Sequence, residues 1–143
     1  MSMCQLIKVG IVRDGPTNER PSMTTPSDVV GLLDDLRTLD REAFICLQLD
    51  ARNKVIARED VSTGSLNASF VHPRELFKAA ILNNAASVIL AHNHPSQDTT
   101  PSAEDIDLTR RMVNAGEILG IEVLDHLIIA GQRFLSLKEA QIF

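Results

Sequence analysis

Apolar positions change their spacing several times along the chain, and each change marks an element. Cys4–Val12 (CQLIKVGIV) is apolar and β-branched, the composition of a strand or an ordered arm. Arg13–Pro26 loses that pattern and reads as a linker. From Ser27, placed as a helix cap, the repeat becomes helical, with Val29, Leu32, Leu33 and Leu36 inward and an end near Thr38. Ala43 to Leu49 is a buried strand, and Lys54–Arg58 pairs back on it through a turn at Arg52–Asn53. Val61–Phe70 reads as a third, irregular strand bent at Gly64. Pro73 opens a helix that buries Leu76, Ala79, Ala80 and Asn83.

The second half is more regular. Ser87–Ala91 is short, apolar on both faces and partly β-branched, the mark of a fully buried strand. Pro101–Asp105 opens a helix with Ser102 as N-cap and Asp105 at its third position. Asp105, Leu108, Met112, Ala115 and Leu119 fall on one face of it, at steps of three and four. Gly120 is a stop signal. Ile121–Ala130 and Arg133–Leu137 form a hairpin about Gly131–Gln132, and Lys138–Phe143 is a short tail. The order predicts an α/β fold, a mixed β-sheet sandwiched by helices, over residues 26–143. An N-terminal strand or arm and linker occupy residues 1–25.

Composition narrows the class. A length of 143 residues suits one domain, and 44% hydrophobic content is enough for a core although Trp and Tyr are absent. Net charge is −5 and pI about 5.3, which makes direct nucleic-acid binding an unfavoured role. No apolar run reaches the length of a membrane span, and no signal peptide is visible. Cys4 and Cys46 lie far apart without CxxC spacing and read as reduced thiols, which points to the cytoplasm.

The candidate chemistry sits in AHNHPSQDTTPSAED, Ala91–Asp105. Alternate residues of a strand share a face, so His92 and His94 project side by side at the carboxyl end of the Ser87–Ala91 strand. Ligands commonly gather at such strand ends in α/β proteins. Asp105 heads the apolar face of the following helix, unlike Glu104 and Asp107, and a carboxylate aimed inward needs a partner. Ser102 and Asp105 alone would be a helix capping pair, and His-x-His alone is a weak signal. Their combination within fourteen residues points to a metal site of two imidazoles and one carboxylate. Such a donor set suits Zn2+ and leaves a fourth position for water, the catalytic pattern. A hydrolase of this kind also needs a base, and Glu42, Glu59, Glu75 and Asp125 are all candidates by spacing.

His92-x-His94, seven residues, Ser102, two residues, Asp105 resembles the JAMM (MPN+, JAB) metalloprotease signature. Thr63–Asn67, Val71–Glu75, Ala91–Ser96 and Leu124–Ile128 resemble the RadC branch of that family, from about Pro26 onward. Gln97 departs from it, since RadC proteins usually have glycine there. Full-length RadC proteins also carry an N-terminal helix-hairpin-helix region, for which this chain has no room.

The resemblance implies a JAMM/cytidine-deaminase-like architecture and a zinc metallopeptidase that cleaves a peptide or isopeptide-linked protein substrate. It implies His92, His94 and Asp105 as ligands and Glu42 as the base. Ser102 would be a hydrogen-bond donor to the tetrahedral intermediate. Asn93 is expected to tie down a loop, and His126 to be a buried, hydrogen-bonded histidine. Asn67 and Asp125, with Asn93 and His126, are candidates for supporting the ligands or lining the substrate groove, as are Thr63 and Ser65. Two alternatives to an enzyme are a JAMM-fold interaction module without catalysis and a DNA-repair-associated protein, the latter suggested by the family's name.

Overall fold

A computed structural model of the protein describes residues 20–63 and 71–143. The expected arm at Cys4–Val12, most of the linker after it and the bend at Gly64 lie outside the described residues, as do Ser65 and Asn67. Five strands form one sheet in the order β2-β1-β3-β4-β5. They are β1 (Ala43–Leu49), β2 (Val55–Thr63), β3 (Ser87–Asn93), β4 (Glu122–Ala130) and β5 (Arg133–Ser136). β3 and β4 are parallel and every other neighbouring pair is antiparallel. The helices are α1 (Pro26–Leu32), α2 (Pro73–Leu82) and α3 (Ala103–Leu119), with a 3-10 turn at Asp34–Thr38 after α1.

Both faces of the sheet are covered. Phe44, Cys46, Val88 and Leu90 join Leu76, Phe77, Leu108 and Met112 in a core on the α2–α3 side. Ala43, Ile45, Leu47, Ile89 and Ala91 join Val29, Val30, Leu33 and Leu36 in a second core on the α1 side. Period-two alternation along fully buried strands produces this split. Met23 belongs to the second core, and Ser22 bridges Lys54, so residues ahead of Pro26 already engage the fold.

Several expected details change. Thr25, not Ser27, caps α1: its hydroxyl accepts the Asp28 N–H while Asp28 Oδ2 accepts the Thr25 N–H, and Pro26 takes the first helical position. The helix does not run unbroken to Thr38, and Leu32 faces solvent while Val30 is buried. The two strands expected at Lys54–Arg58 and Val61–Phe70 are a single strand as far as Thr63. The irregularity is a bulge at Val61, the residue skipped between the pairs Ile45–Asp60 and Phe44–Ser62. Phe77 is buried on α2, where Ala79 and Asn83 are only half-buried.

The buried stripe of α3 is Asp105, Leu108, Thr109, Met112 and Gly116, and Leu119 is exposed. An ideal helix drifts against a strict three-four repeat, so the far end of the stripe turns toward Gly116. Gly120 closes the helix in a left-handed conformation, with φ 72°. Its N–H donates to the Glu117 carbonyl and the Ile121 N–H to the Gly116 carbonyl, a Schellman closure. This closure folds the Ile121 carbonyl back over Gly116, where a Cβ would lie 2.3 Å from that oxygen. Gly116→Ala should therefore destabilise the domain by about 1–3 kcal/mol, the cost of forced overpacking, although alanine is the better helix former. Urea unfolding of the variant beside wild type measures this, and a stabilised variant would mean that the closure relaxes freely. Among the described residues no helix is long and apolar enough to cross a membrane.

Candidate metal centre

The topology brings three chain segments together at the carboxyl end of the central strand β3. β3 ends at Asn93, and α3 begins ten residues later as the crossover to the parallel strand β4. β1 runs antiparallel to β3, so its start lies beside the end of β3, with Phe44 opposite His92. Glu42 is two residues before Phe44 and shares its face. Glu42, His92, His94 and Asp105 thus converge, with one ligand atom from each lying within 4.8 Å of the others.

The distances suit a metal ion. His92 Nε2 and His94 Nε2 are 3.0 Å apart, and Asp105 places Oδ1 3.3 Å from the first and Oδ2 3.2 Å from the second. Ligand atoms about 2.0–2.1 Å from a tetrahedral ion lie roughly 3.3 Å from one another. Glu42 Oε1 is farther out, 3.9 Å from His92 Nε2. His94 Nδ1 lies 2.7 Å from the Asp98 carbonyl oxygen, which can only accept, so the other nitrogen of the neutral ring presents its lone pair to the cluster. A group of electron-pair donors this close needs a proton or a cation among them.

Electrostatics agree. Burial alone would raise the Asp105 carboxyl, but the two histidines beside it outweigh that effect and hold it well below the usual carboxylate range. The hydrogen bond to Asp105 raises His94 against the opposing effect of burial. Burial raises Glu42, and the charge of Asp105 adds to it, while the two histidines pull the other way. Asp105 is buried and Glu104 exposed, the helix phase that aims this carboxylate inward.

Asp105 combines the two readings its sequence context allows. Its Oδ2 accepts the Ser102 N–H, and its own N–H donates to Ser102 Oγ, completing a capping box at the start of α3. The same carboxylate faces both histidines. A family model described as the RadC-like JAB domain matches residues 23–142.

The chain belongs to the RadC-like JAB domain family.

It is 59% identical over 124 residues to a UPF0758 protein of Desulforamulus reducens, covering 86% of this chain and 55% of that protein. A UPF0758 protein of Moorella thermoacetica is 58% identical over 127 residues, 88% of this chain and 56% of the relative. One of Clostridium perfringens is 48% identical over 143 residues, 99% of this chain and 62% of the relative. The chain thus spans little more than half the length of these curated relatives.

In this RadC-like JAB domain the remaining site candidates have distinct places. Asn93 faces away from His92, and its amide grips both sides of Glu42: Oδ1 accepts the Ala43 N–H at 2.7 Å and Nδ2 donates to the Arg41 carbonyl at 2.9 Å. Asp125 stands apart from the cluster. It accepts from Ser136 Oγ, the Lys138 N–H and the His126 N–H, and so clamps β4 to β5 and the tail. His126 is fully buried, with Nε2 2.7 Å from His92 Nδ1. Burial holds it well below the ordinary histidine value, which favours the neutral ring.

A bulge aims it there. Val88 pairs with Val123 and Ile89 with Asp125, so Leu124 is an extra residue and the facing of β4 shifts by one. Val123 and His126, three apart, consequently share the α3 side. Phe44 stacks on His92 with ring planes 8° apart and meets His126 edge-on, and Thr109 completes the pocket from α3. Phe44 and Thr109 join the site without having been expected there from the sequence. The step of four from Asp105 to Thr109 was the available signal for the latter. Gln97 has φ 66°, in the left-handed region that glycine enters freely. Its departure from glycine thus carries a backbone cost of roughly 1 kcal/mol without altering a donor atom of the cluster.

Proposed function

We propose that this domain is a zinc-dependent amide hydrolase, a metallopeptidase or isopeptidase of JAMM type. The observation that carries the reading is the triangle of His92, His94 and Asp105 donor atoms with an acid, Glu42, just outside it. Two imidazoles and one carboxylate suit zinc and leave a position open for chemistry. Zinc held there supplies Lewis acidity, bringing the pKa of water to about 7 and polarising an amide carbonyl.

The chain's own groups divide the rest of the work. Glu42 takes a proton from the attacking water and returns it to the leaving amine, and burial strengthens it as a base by raising its pKa. Asn93 fixes the peptide units on both sides of Glu42 and so sets where its carboxylate stands. Ser102 Oγ already accepts the Asp105 N–H, which leaves its hydroxyl hydrogen free to donate to the developing oxyanion. His92 is fully buried, whereas the side chains of His94 and Glu42 are 15% and 18% exposed, so a substrate would approach past those two.

Chelated protein reloaded with zinc should cleave members of a panel of peptide and isopeptide-linked substrates, lose that activity to chelator and regain it with zinc. Full zinc occupancy with no cleavage in either class would favour the interaction-module alternative instead. Zinc uptake should also depend on pH in a definite sense. The His94 pKa is raised in the metal-free protein, so a proton competes with the ion until the pH exceeds that raised value. Affinity should therefore climb as pH increases from about 5 to 8. Binding isotherms across that range give the slope, and a flat profile would remove His94 from the ligand set.

A further inference from the structure

A ligating histidine usually gives its second N–H to a carboxylate, a carbonyl or water, groups whose direction is unambiguous. His92 has another histidine in that place, and an imidazole can face it as donor or acceptor. If His126 donated, His92 would carry its hydrogen on Nε2, the atom turned toward His94 and Asp105, and that nitrogen would have no lone pair to offer. The direction of this one bond therefore decides whether the cluster can hold an ion at all.

The next two groups settle it. Thr109 Oγ1 lies 2.6 Å from His126 Nδ1 and 2.6 Å from the Asp105 carbonyl oxygen. A threonine hydroxyl owns one hydrogen, and the carbonyl can only accept it. The hydroxyl hydrogen is thus committed to the carbonyl, and His126 Nδ1 must donate to Thr109. His126 is fully buried and neither of its ring nitrogens meets a carboxylate, so the ring holds a single hydrogen, and its Nε2 is bare and accepts from His92 Nδ1. His92 is left with Nε2 bare and aimed at the cluster. His92, Thr109 and His126 are all 0% exposed, so bulk water does not compete for these bonds.

We propose that the Asp105 carbonyl, Thr109, His126 and His92 form a one-way hydrogen-bond chain that locks His92 in the Nδ1–H tautomer, with Thr109 and His126 as positioning residues for the metal centre. The use made of the lock rests on the metal-centre reading. Its direction does not, because it originates in the backbone of α3. The chain also joins both ends of the Asp105 residue to the site: the carboxylate faces the histidines directly, and the carbonyl orients one of them through two intermediaries.

The test is the tautomeric state of each imidazole, read from long-range 1H–15N correlation spectra of the metal-free protein in mildly alkaline buffer. In wild type, His92 and His126 should both carry hydrogen on Nδ1. Thr109→Ser keeps a hydroxyl and should keep that pattern and the zinc affinity. Thr109→Val keeps the shape but removes the acceptor for His126 Nδ1. Both rings should then move to Nε2–H, and the zinc dissociation constant should rise by about 10- to 100-fold. Hydrogen on His92 Nε2 in the wild-type protein overturns the proposal without any variant, and so does a Thr109→Val protein with wild-type tautomers or wild-type affinity. A wild-type protein that takes up no zinc would defeat the metal-centre reading, while its tautomers would still decide this one.

Discussion

Glu42→Gln should lower amide hydrolysis by a factor of about 10² to 10⁴, the usual worth of a positioned acid–base group, while zinc content and folding stay at wild-type level. Glutamine preserves the size of the side chain and removes only its ability to hold a proton. Glu42 Oε1 is 3.9 Å from His92 Nε2, outside the 3.0–3.3 Å triangle of the other three donors, so ion binding by those three should not depend on it. Turnover and elemental zinc measured on one preparation separate the two effects. A variant that cleaves at the wild-type rate would strip Glu42 of the role. Asp125 could not inherit it, because its two oxygens are committed to Ser136, Lys138 and His126.

Asp105→Asn and His92→Ala should both take zinc from about one ion per chain to almost none, and activity should vanish with it. The two variants differ in what else they disturb. Asparagine at position 105 can still accept the Ser102 N–H, so the start of α3 should stay capped. Alanine at position 92 removes a ring stacked on Phe44 and hydrogen-bonded to His126, so this variant should also lose stability. Elemental analysis together with thermal unfolding reads both. Zinc content equal to wild type in both proteins would dismiss these residues as ligands.

Much of this arrangement was legible because it follows from short-range periodicity. Alternation along Ser87–Asn93 sends His92 to one face and Asn93 to the other, and the three-four repeat from Asp105 to Met112 separates Asp105 from Glu104. What escaped depends on partners remote in the chain. The continuity of β2 through Glu59 and Asp60 comes from pairing with β1, a partner remote in the chain. The bulge at Leu124 is visible only in register with β3, and without it His126 would face the α1 layer. Asp125 looked like a spare acid until the β4–β5 hairpin and the tail supplied its partners. The cap at Thr25 was open to inspection, since Thr25 and Asp28 spell a capping box around Pro26, but Ser27 is also a good cap residue and drew the boundary two positions late.

The capping box at Ser102 and Asp105 has a thermodynamic consequence. The Asp105 carboxylate is anchored by the Ser102 N–H, and His94 by the Asp98 carbonyl, through bonds that contain no metal. Ion uptake therefore need not order the chain around it, unlike a zinc finger, whose binding energy is consumed in folding. The stabilisation conferred by an ion bound there would follow mass action alone, growing with the logarithm of the free ion concentration above the dissociation constant. Loss of a bound ion would then leave a folded socket, and metal exchange at this site would not require passage through an unfolded state.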